Sequence, residues 1–321
     1  MIEGDDRELL ERSLRHAVDG ATGPALDLAL DALGWPDALE VDPHTAVSLL
    51  FELQGSANRA SSALDRVVAA VVAPASDAAG VVLPTFGSPA PPARLLDDGR
   101  LTIEGLATAA LPDRDTVVVV ARRDEGEDVV VTVAVDDLEI RRIAGVDPDL
   151  GLVAVTGTLT PADAPRRPAR PWPDAVARAQ LAIGHELVGA ARTMVALARQ
   201  HALDRVQFGQ PIARFQAIRH RLADTLVAIE VADAALDAGW LEGTPTAAAM
   251  AKALAGDGAR TAARHCQQVL AGIGFTTEHD LHRWIRRVLV LDELFGAART
   301  LTRALGEDLL ATRQLPPLPP L

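Results

Sequence analysis

The sequence predicts an α+β chain that is mostly α. An N-terminal helical domain is expected over residues 1–82, a small antiparallel β domain over 83–165, and a C-terminal four-helix bundle over 166–321. Three observations predict this order. Apolar residues recur at three- and four-residue steps in both end regions, the period of an amphipathic helix. Between them, short β-branched runs alternate with polar turns, the pattern of strands. Prolines cluster where the character changes, with Pro84, Pro89, Pro91 and Pro92 at the first boundary and Pro161, Pro165, Pro168, Pro171 and Pro173 at the second.

In the first domain Leu9, Leu10, Leu14 and Val18 outline one helix. Residues 26–33 outline a second, which Gly34-Trp35-Pro36 ends. Residues 46–53 and 60–72 outline two more; the last is apolar on nearly all sides, which predicts burial. Strands are expected at 101–103, 116–121, 129–135, 138–140 and 152–155. Turns such as Asp97-Asp98-Gly99 and Arg123-Asp124-Glu125-Gly126 separate them.

The bundle opens with Val176, Ala179, Ile183, Leu187, Ala190, Met194 and Leu197 on one helical face. Phe215, Ile218, Leu222, Leu226, Ile229 and Ala232 form the matching face of the next helix. Gly209 and Pro211 interrupt the period between them, so the two form a helical hairpin. Further helices are expected over 215–238, 245–270 and 281–310, with 240–244 as a loop. The Leu-Pro-Pro-Leu-Pro-Pro tail from Leu315 cannot be helical and reads as a frayed end rather than a recognition peptide. No internal repeat is visible.

Acids outnumber bases by 44 to 31, a net charge of −13, which argues against a nucleic-acid partner. A local basic pocket for a nucleotide or CoA remains compatible with that balance. A single cysteine, Cys266, leaves no intramolecular disulfide and suits a reducing cytoplasm. The start, Met1-Ile2-Glu3-Gly4-Asp5-Asp6, is acidic where a signal peptide would be basic. No apolar run of membrane-spanning length is free of charge, Pro and Gly. The expectation is a cytoplasmic protein with no membrane partner. His265 with Cys266, and His279 with His282, give metal-ligand types without a completing cluster, so no metal site is expected. Arg283, Arg286 and Arg287 could hold phosphate or form a helix salt-bridge face, and the second reading is favoured.

The connection between the first two bundle helices carries Arg205, Gln207, Phe208 and Gln216. A guanidinium and two amides suit a pyrophosphate, and the ring can lie along a flat cofactor. A capped hairpin with a solvated Arg and a Phe plugging the core accounts for the same residues. On the residues alone this second reading is favoured.

The string Arg205-x-Gln207-Phe208-Gly209-x-Pro211-Ile212-x-x-Phe215-Gln216-Ala217-Ile218-x-His220-x-Leu222-Ala223-Asp224 resembles the signature of the acyl-CoA dehydrogenase family. Gln268-Val269-Leu270-Ala271-Gly272-Ile273-Gly274-Phe275-Thr276 resembles the family's Gln-x-x-Gly-Gly-x-Gly-Tyr-Thr segment. The residues from Glu278 to Arg287, followed by Leu294-Phe295-Gly296, resemble the branch found in actinobacterial steroid degradation. The resemblance covers the C-terminal half well and the N-terminal half poorly. It implies the same order of three domains and an FAD cofactor bound at a subunit interface. It places Arg205, Gln207, Phe208, Ile212 and Gln216 on the FAD of one site. It places Gln268 and Gly272 on the adenine-diphosphate part of FAD across a dimer contact. Ala271 replaces the first Gly of the family's pair, a small change.

The family's reaction removes a proton from the carbon α to a thioester and passes a hydride from the β carbon to flavin, so it needs a carboxylate base. One family position for that Glu corresponds to Phe295 here. The other, on the first bundle helix about seven turns before the signature Arg, corresponds to Ala179. Neither can accept a proton. Glu186, Asp292 and Glu293 lie nearby and read as solvated or paired helix carboxylates. The family's Thr-Glu-Pro-x-x-Gly-Ser-Asp segment, which covers the flavin ring, has only a weak counterpart at 83–89. The resemblance therefore implies the base-lacking chain of an α2β2 heterotetramer, whose catalytic acyl-CoA dehydrogenase subunit supplies the Glu. By analogy the substrate is an acyl-CoA, a steroid-CoA thioester. Two alternatives stay open: a homomeric enzyme using a base such as Glu186, and a flavin-free scaffold subunit.

Overall fold

The computed structural model describes residues 2–73, 80–160, 166–168 and 172–313. The N-terminal helices are α1 (Asp5–Gly20), α2 (Pro24–Ala32), α3 (Trp35–Val41), α4 (Pro43–Ala57) and α5 (Ala63–Val72). Gly34-Trp35-Pro36 does more than end a helix. Gly34 turns the chain with φ 71°, and Pro36 sits in the first turn of α3. The Trp35 ring is fully buried and its Nε1–H donates to the Ala46 carbonyl at 2.9 Å. Periodicity could not show this short helix, because seven residues hold too few turns to repeat.

The strands are β1 (Ala93–Leu95), β2 (Leu101–Ala107), β3 (Thr116–Arg123), β4 (Asp128–Ala134), β5 (Glu139–Arg142), β6 (Val153–Leu159) and β7 (Arg166–Pro168). They form one sheet in the order β5-β6-β2-β1-β3-β4-β7. Pairing is antiparallel except at one seam. There β1 runs parallel to β3, with Ala93 opposite Ala121, where the sequence predicts antiparallel pairing throughout. Period-two alternation assigns the two faces. Val118, Val120 and Val130 join the core of the helical parts. Val117, Val119, Val129 and Val131 join a separate core on the other face. Burial on both sides explains why β3 reads as an uninterrupted β-branched run.

The bundle consists of α6 (Trp172–Asp204), α7 (Gln216–Glu242), α8 (Pro245–Leu270), α9 (Leu281–Glu293) and α10 (Ala298–Thr312). The long helix α6 packs on α8, α4, α7, α5 and α9. By length and composition α6 could cross a membrane, but 72% of its most apolar window is buried among the other helices. It meets α4 at two glycines. A Cβ on Gly55 would lie 2.0 Å from the Glu186 carbonyl oxygen, and one on Gly189 would lie 2.1 Å from that of Glu52. Thr193 Oγ1 donates to the Ser56 carbonyl beside them at 3.0 Å.

Three expectations for the bundle need correction. Leu226 is 50% exposed, and the buried row of α7 is Thr225, Ile229, Ala232, Leu236 and Gly239. Residues 240–244 are mostly helix, because α7 continues to Glu242 and Thr244 Oγ1 already caps α8 by accepting from Ala247 N. The single helix expected over 281–310 is two, broken at Phe295 (φ 54°) and Gly296 (φ 101°). The tail from Leu315 and the prolines 161, 165 and 171 lie outside the described residues.

Candidate functional site

The α6–α7 connection folds as a miniature strand pair, β8 (Val206–Gln207) with β9 (Gln210–Pro211). Phe208 (φ 53°) and Gly209 (φ 77°) are both left-handed, as a two-residue hairpin of right-handed twist requires. Gly takes that backbone freely, whereas a Phe there costs about 1 kcal/mol. Backbone bonds fix the base of the turn: Arg205 N donates to the His201 carbonyl at 2.9 Å and Ile212 N to the Arg205 carbonyl at 2.8 Å.

This hairpin presents its chemistry outward. Phe208 is 92% exposed and stands edge-on to Phe215 at 6.1 Å, so it is not the core plug that the residues alone favour. Arg205, Gln207 and Gln216 are exposed, and Ile212 is half-buried. The Gln207 amide donates to the neighbouring Val206 carbonyl at 2.8 Å.

Gln268 and Gly272 lie at the C-terminal end of α8, at the same end of the bundle as the hairpin. Contacts between the elements place them so. Thr225 Oγ1, near the start of α7, lies 2.8 Å from His265 Nδ1 on α8. The Thr225 hydroxyl donates to the Arg221 carbonyl at 2.7 Å, so the ring nitrogen is the donor in the pair with His265. Gln268 and Gly272 are exposed, and nothing lies within 4 Å of a Cβ built on Gly272. Ala271, treated from sequence as a small change, has φ 53° and ψ −133°, a backbone that Gly adopts and Ala resists.

Sequence reasoning missed the cations that surround these residues. Among the described residues Arg205, Arg214, Arg219, Arg221 and Arg264 stand within one end of the bundle without a carboxylate partner. His201 is held below its ordinary value by burial, with His279 and Arg205 adding to it. His265 is likewise lowered by burial, then by Arg221. In a chain of net charge −13 this is a local positive field. A count of Arg against Asp and Glu over 199–225 carries the signal. The donor set fits the phosphates of a nucleotide, and an exposed ring beside it fits a flat group.

The two positions where a base is sought are packed shut. Ala179 is fully buried. Phe295 is 1% exposed, against the Trp172 ring at 6.4 Å, and its carbonyl accepts from Gln180 Nε2 at 3.0 Å. Lys252 Nζ donates to the carbonyls of Asp292 at 3.0 Å and Gly296 at 3.3 Å, satisfying groups that the helix break would otherwise leave bare. The Asp292 carboxylate accepts from Arg260 Nε at 2.5 Å and from Ala298 N at 3.1 Å, at the start of α10. Glu293 lies 3.7 Å from Arg260.

Glu186 is buried, with Arg287 Nη1 at 3.1 Å. Burial outweighs Arg287 and pushes the Glu186 carboxyl up to about 7. Arg287 is ion-paired, as the salt-bridge reading expects, but it is fully buried rather than on a surface face. Its Nε donates to Asp147 at 2.5 Å and its Nη1 also donates to the Arg59 carbonyl at 2.7 Å. Only Arg283 keeps the surface role, 3.9 Å from Asp280. Among the described residues no three His, Cys, Asp or Glu side chains converge as a metal site. His279 Nδ1 accepts from Leu281 N and His282 Nδ1 lies 2.9 Å from the His279 carbonyl.

Residues 175–310 match the family profile described as acyl-CoA dehydrogenase, C-terminal domain. The acyl-CoA dehydrogenase IpdE2 of Mycobacterium tuberculosis is 36% identical over 141 residues, which is 44% of this chain and 44% of that protein. IpdE2 of Mycolicibacterium smegmatis is 33% identical over 130 residues, 40% of this chain and 42% of that one. The match thus spans less than half the length of these curated relatives. Among solved structures, a variant of the Tcur3481-Tcur3483 steroid ACAD superposes with a TM-score of 0.82 at 21% identity, covering 97% of this chain and 99% of that one. A chain of the ChsE4-ChsE5 complex from Mycobacterium tuberculosis gives 0.75 at 19% identity, covering 98% and 99%. At these identities the structural likeness is one of fold.

Proposed function

The chain carries an acyl-CoA dehydrogenase C-terminal domain on an acyl-CoA dehydrogenase fold, and from that premise we propose that it is the base-lacking subunit of a heteromeric, FAD-dependent acyl-CoA dehydrogenase. One observation carries this reading: both base positions, Phe295 and Ala179, are apolar and buried while the cation-rich hairpin end is open. The reaction is α,β-desaturation of a CoA thioester, and bound FAD supplies the hydride acceptor. In this chain Arg205 would hold the pyrophosphate with a charge-assisted fork, and Gln207 and Gln216 would donate from their amides. Phe208 and Ile212 offer apolar surface to the flat part of the group. Gln268 and the open backbone at Gly272 serve the adenine-diphosphate part across the subunit contact. The α-proton would go to a carboxylate of the partner subunit, because among the described residues no acid is free near the base positions. The Tcur3481-Tcur3483 steroid ACAD and the ChsE4-ChsE5 complex both pair two chain names, which supports an α2β2 assembly and, from the first, a steroid-derived acyl group.

A second reading is a homomeric enzyme with Glu186 as base. Its carboxyl at about 7 is suited to proton transfer. Against it, that carboxyl faces Arg287 in a buried ion group.

The test is the flavin content and mass of the chain purified alone and co-expressed with candidate dehydrogenase subunits encoded beside it. A yellow assembly only with a partner, at one FAD per pair, is expected. A chain that alone is fully flavinylated and oxidises acyl-CoA would overturn the assignment.

A further inference from the structure

His265 stands three residues before Gln268 on α8, a spacing that puts both side chains on one face of the helix. It joins no metal cluster among the described residues. Its ring is held by the neighbouring helix instead. Thr225 is fully buried on α7, and its hydroxyl hydrogen is engaged by the Arg221 carbonyl at 2.7 Å. A hydroxyl has one hydrogen, so the Thr225 oxygen can only accept from the ring nitrogen Nδ1, 2.8 Å away. A neutral imidazole carries one N–H, which leaves Nε2 as a bare acceptor. Among the described residues nothing bonds to it.

The ring stays neutral at pH 7. Burial first, then Arg221 and Arg264, hold it below its ordinary 6.5, while the Arg221 backbone and Asp224 act the other way. The result is a fixed acceptor in a neighbourhood of guanidinium groups, which donate and never accept. Phosphate oxygens suit those cations and are repelled by the lone pair of Nε2. A ligand that satisfies the whole patch carries phosphates and, apart from them, an N–H or O–H. An adenine dinucleotide offers two such groups, the ribose hydroxyls and the 6-amino group. A hydroxyl both donates and accepts, so it settles equally well on an arginine or on the exposed Gln268 amide. The 6-amino group only donates, because its lone pair is drawn into the ring, and it requires an acceptor. A 6-oxopurine turns a carbonyl oxygen to the same place, lone pair against lone pair.

We propose that His265 Nε2 accepts from the 6-amino group of adenine, so that this chain selects an adenine dinucleotide over a 6-oxopurine one, with Thr225 as the positioning residue that fixes the tautomer. The proposal rests on the reading that this end of the bundle holds the adenine-diphosphate part of FAD.

The probes are FAD and its deaminated analogue, flavin hypoxanthine dinucleotide. Each is titrated into the flavin-stripped assembly in which the chain purifies, and binding is read from the flavin fluorescence. Wild type should favour FAD by about tenfold or more, as expected when a donor is removed and a lone pair put in its place. In His265→Phe the ratio should fall to within about twofold of unity, chiefly through weaker binding of FAD. Thr225→Val keeps the ring and frees the tautomer, so its ratio should lie between the two. A ring that merely packs the helices together would lower both affinities and leave their ratio alone. Equal binding of the two probes by wild type, or an unchanged ratio in His265→Phe, would overturn the proposal and leave the flavin reading standing. Binding of neither probe by wild type would overturn the flavin reading, and this proposal with it.

Discussion

Lys252 and Asp292 are buried side by side, and the Lys252 ammonium binds the Asp292 backbone carbonyl at 3.0 Å while its carboxylate lies 3.9 Å away. The pair sits at the α9–α10 break, where Lys252 binds the carbonyls of Asp292 and Gly296 on either side of Phe295. Asp292 keeps Arg260 when Lys252 is removed, but the buried carbonyls of Asp292 and Gly296 lose the donor that Lys252 supplies. Lys252→Ala should therefore lose about 2 kcal/mol, read as a fall in urea midpoint. The pH dependence has a definite sign. Burial holds the Lys252 amine down to about 8, below its ordinary 10.5. Its contribution is smallest below about 8 and rises as pH climbs towards 10.5, because the unfolded chain then binds the extra proton. The variant should lack that rise.

Glu186 has the opposite sign. Its carboxyl is raised from 4.5 to about 7, so the stability it contributes is complete below 4.5 and is lost as pH rises through about 7. Urea midpoints of wild type and Glu186→Gln, compared across this window, should differ by an amount that changes with pH; a constant difference would sink the assignment. In the partnered enzyme Glu186→Gln should leave turnover within about threefold, whereas loss of a true general base costs about a hundredfold or more.

Ala271→Gly should stabilise the chain. The backbone there, φ 53° and ψ −133°, is one that a Cβ disfavours. Relief of that strain is worth about 1 kcal/mol, even after the extra freedom Gly gains in the unfolded chain. The thermal midpoint should rise, with flavin content unchanged or higher.

Arg205→Ala should separate binding from folding. The side chain is exposed and has no carboxylate partner among the described residues, so the thermal midpoint should barely move. Loss of a charge-assisted fork to phosphate costs about 2 kcal/mol, roughly thirtyfold in affinity. Flavin retained by the co-expressed assembly should fall accordingly under dilution. Retention equal to wild type would favour a scaffold role.

The hairpin itself was legible in the sequence because its determinants are neighbours. Gly209 supplies a left-handed residue, Pro211 prevents a continuous helix, and the side chains proposed to meet flavin lie within a dozen positions. The break at Phe295 was not legible. Apolar residues keep helical spacing through Leu291, Leu294 and Leu301, and what permits the break is Lys252, some forty positions away, capping the freed carbonyls. The ion pairing of Arg287 was legible but its burial was not, because its partners Asp147 and Glu186 are distant in sequence. Leu226 and Leu236 differ in burial because the line of contact on α7 is set by its packing against α6 and α8.

The paired glycines where α4 meets α6 have a consequence for how the molecule comes apart. Each helix presses its backbone into a notch on the other, Gly55 against Glu186 and Glu52 against Gly189. Such reciprocal notches resist sliding in either direction. The N-terminal helices therefore cannot peel away and leave the bundle standing, because their departure strips one flank of its central rod. Both helical regions should melt as one cooperative unit, so damage at the amino end is felt at the hairpin some distance along the same rod.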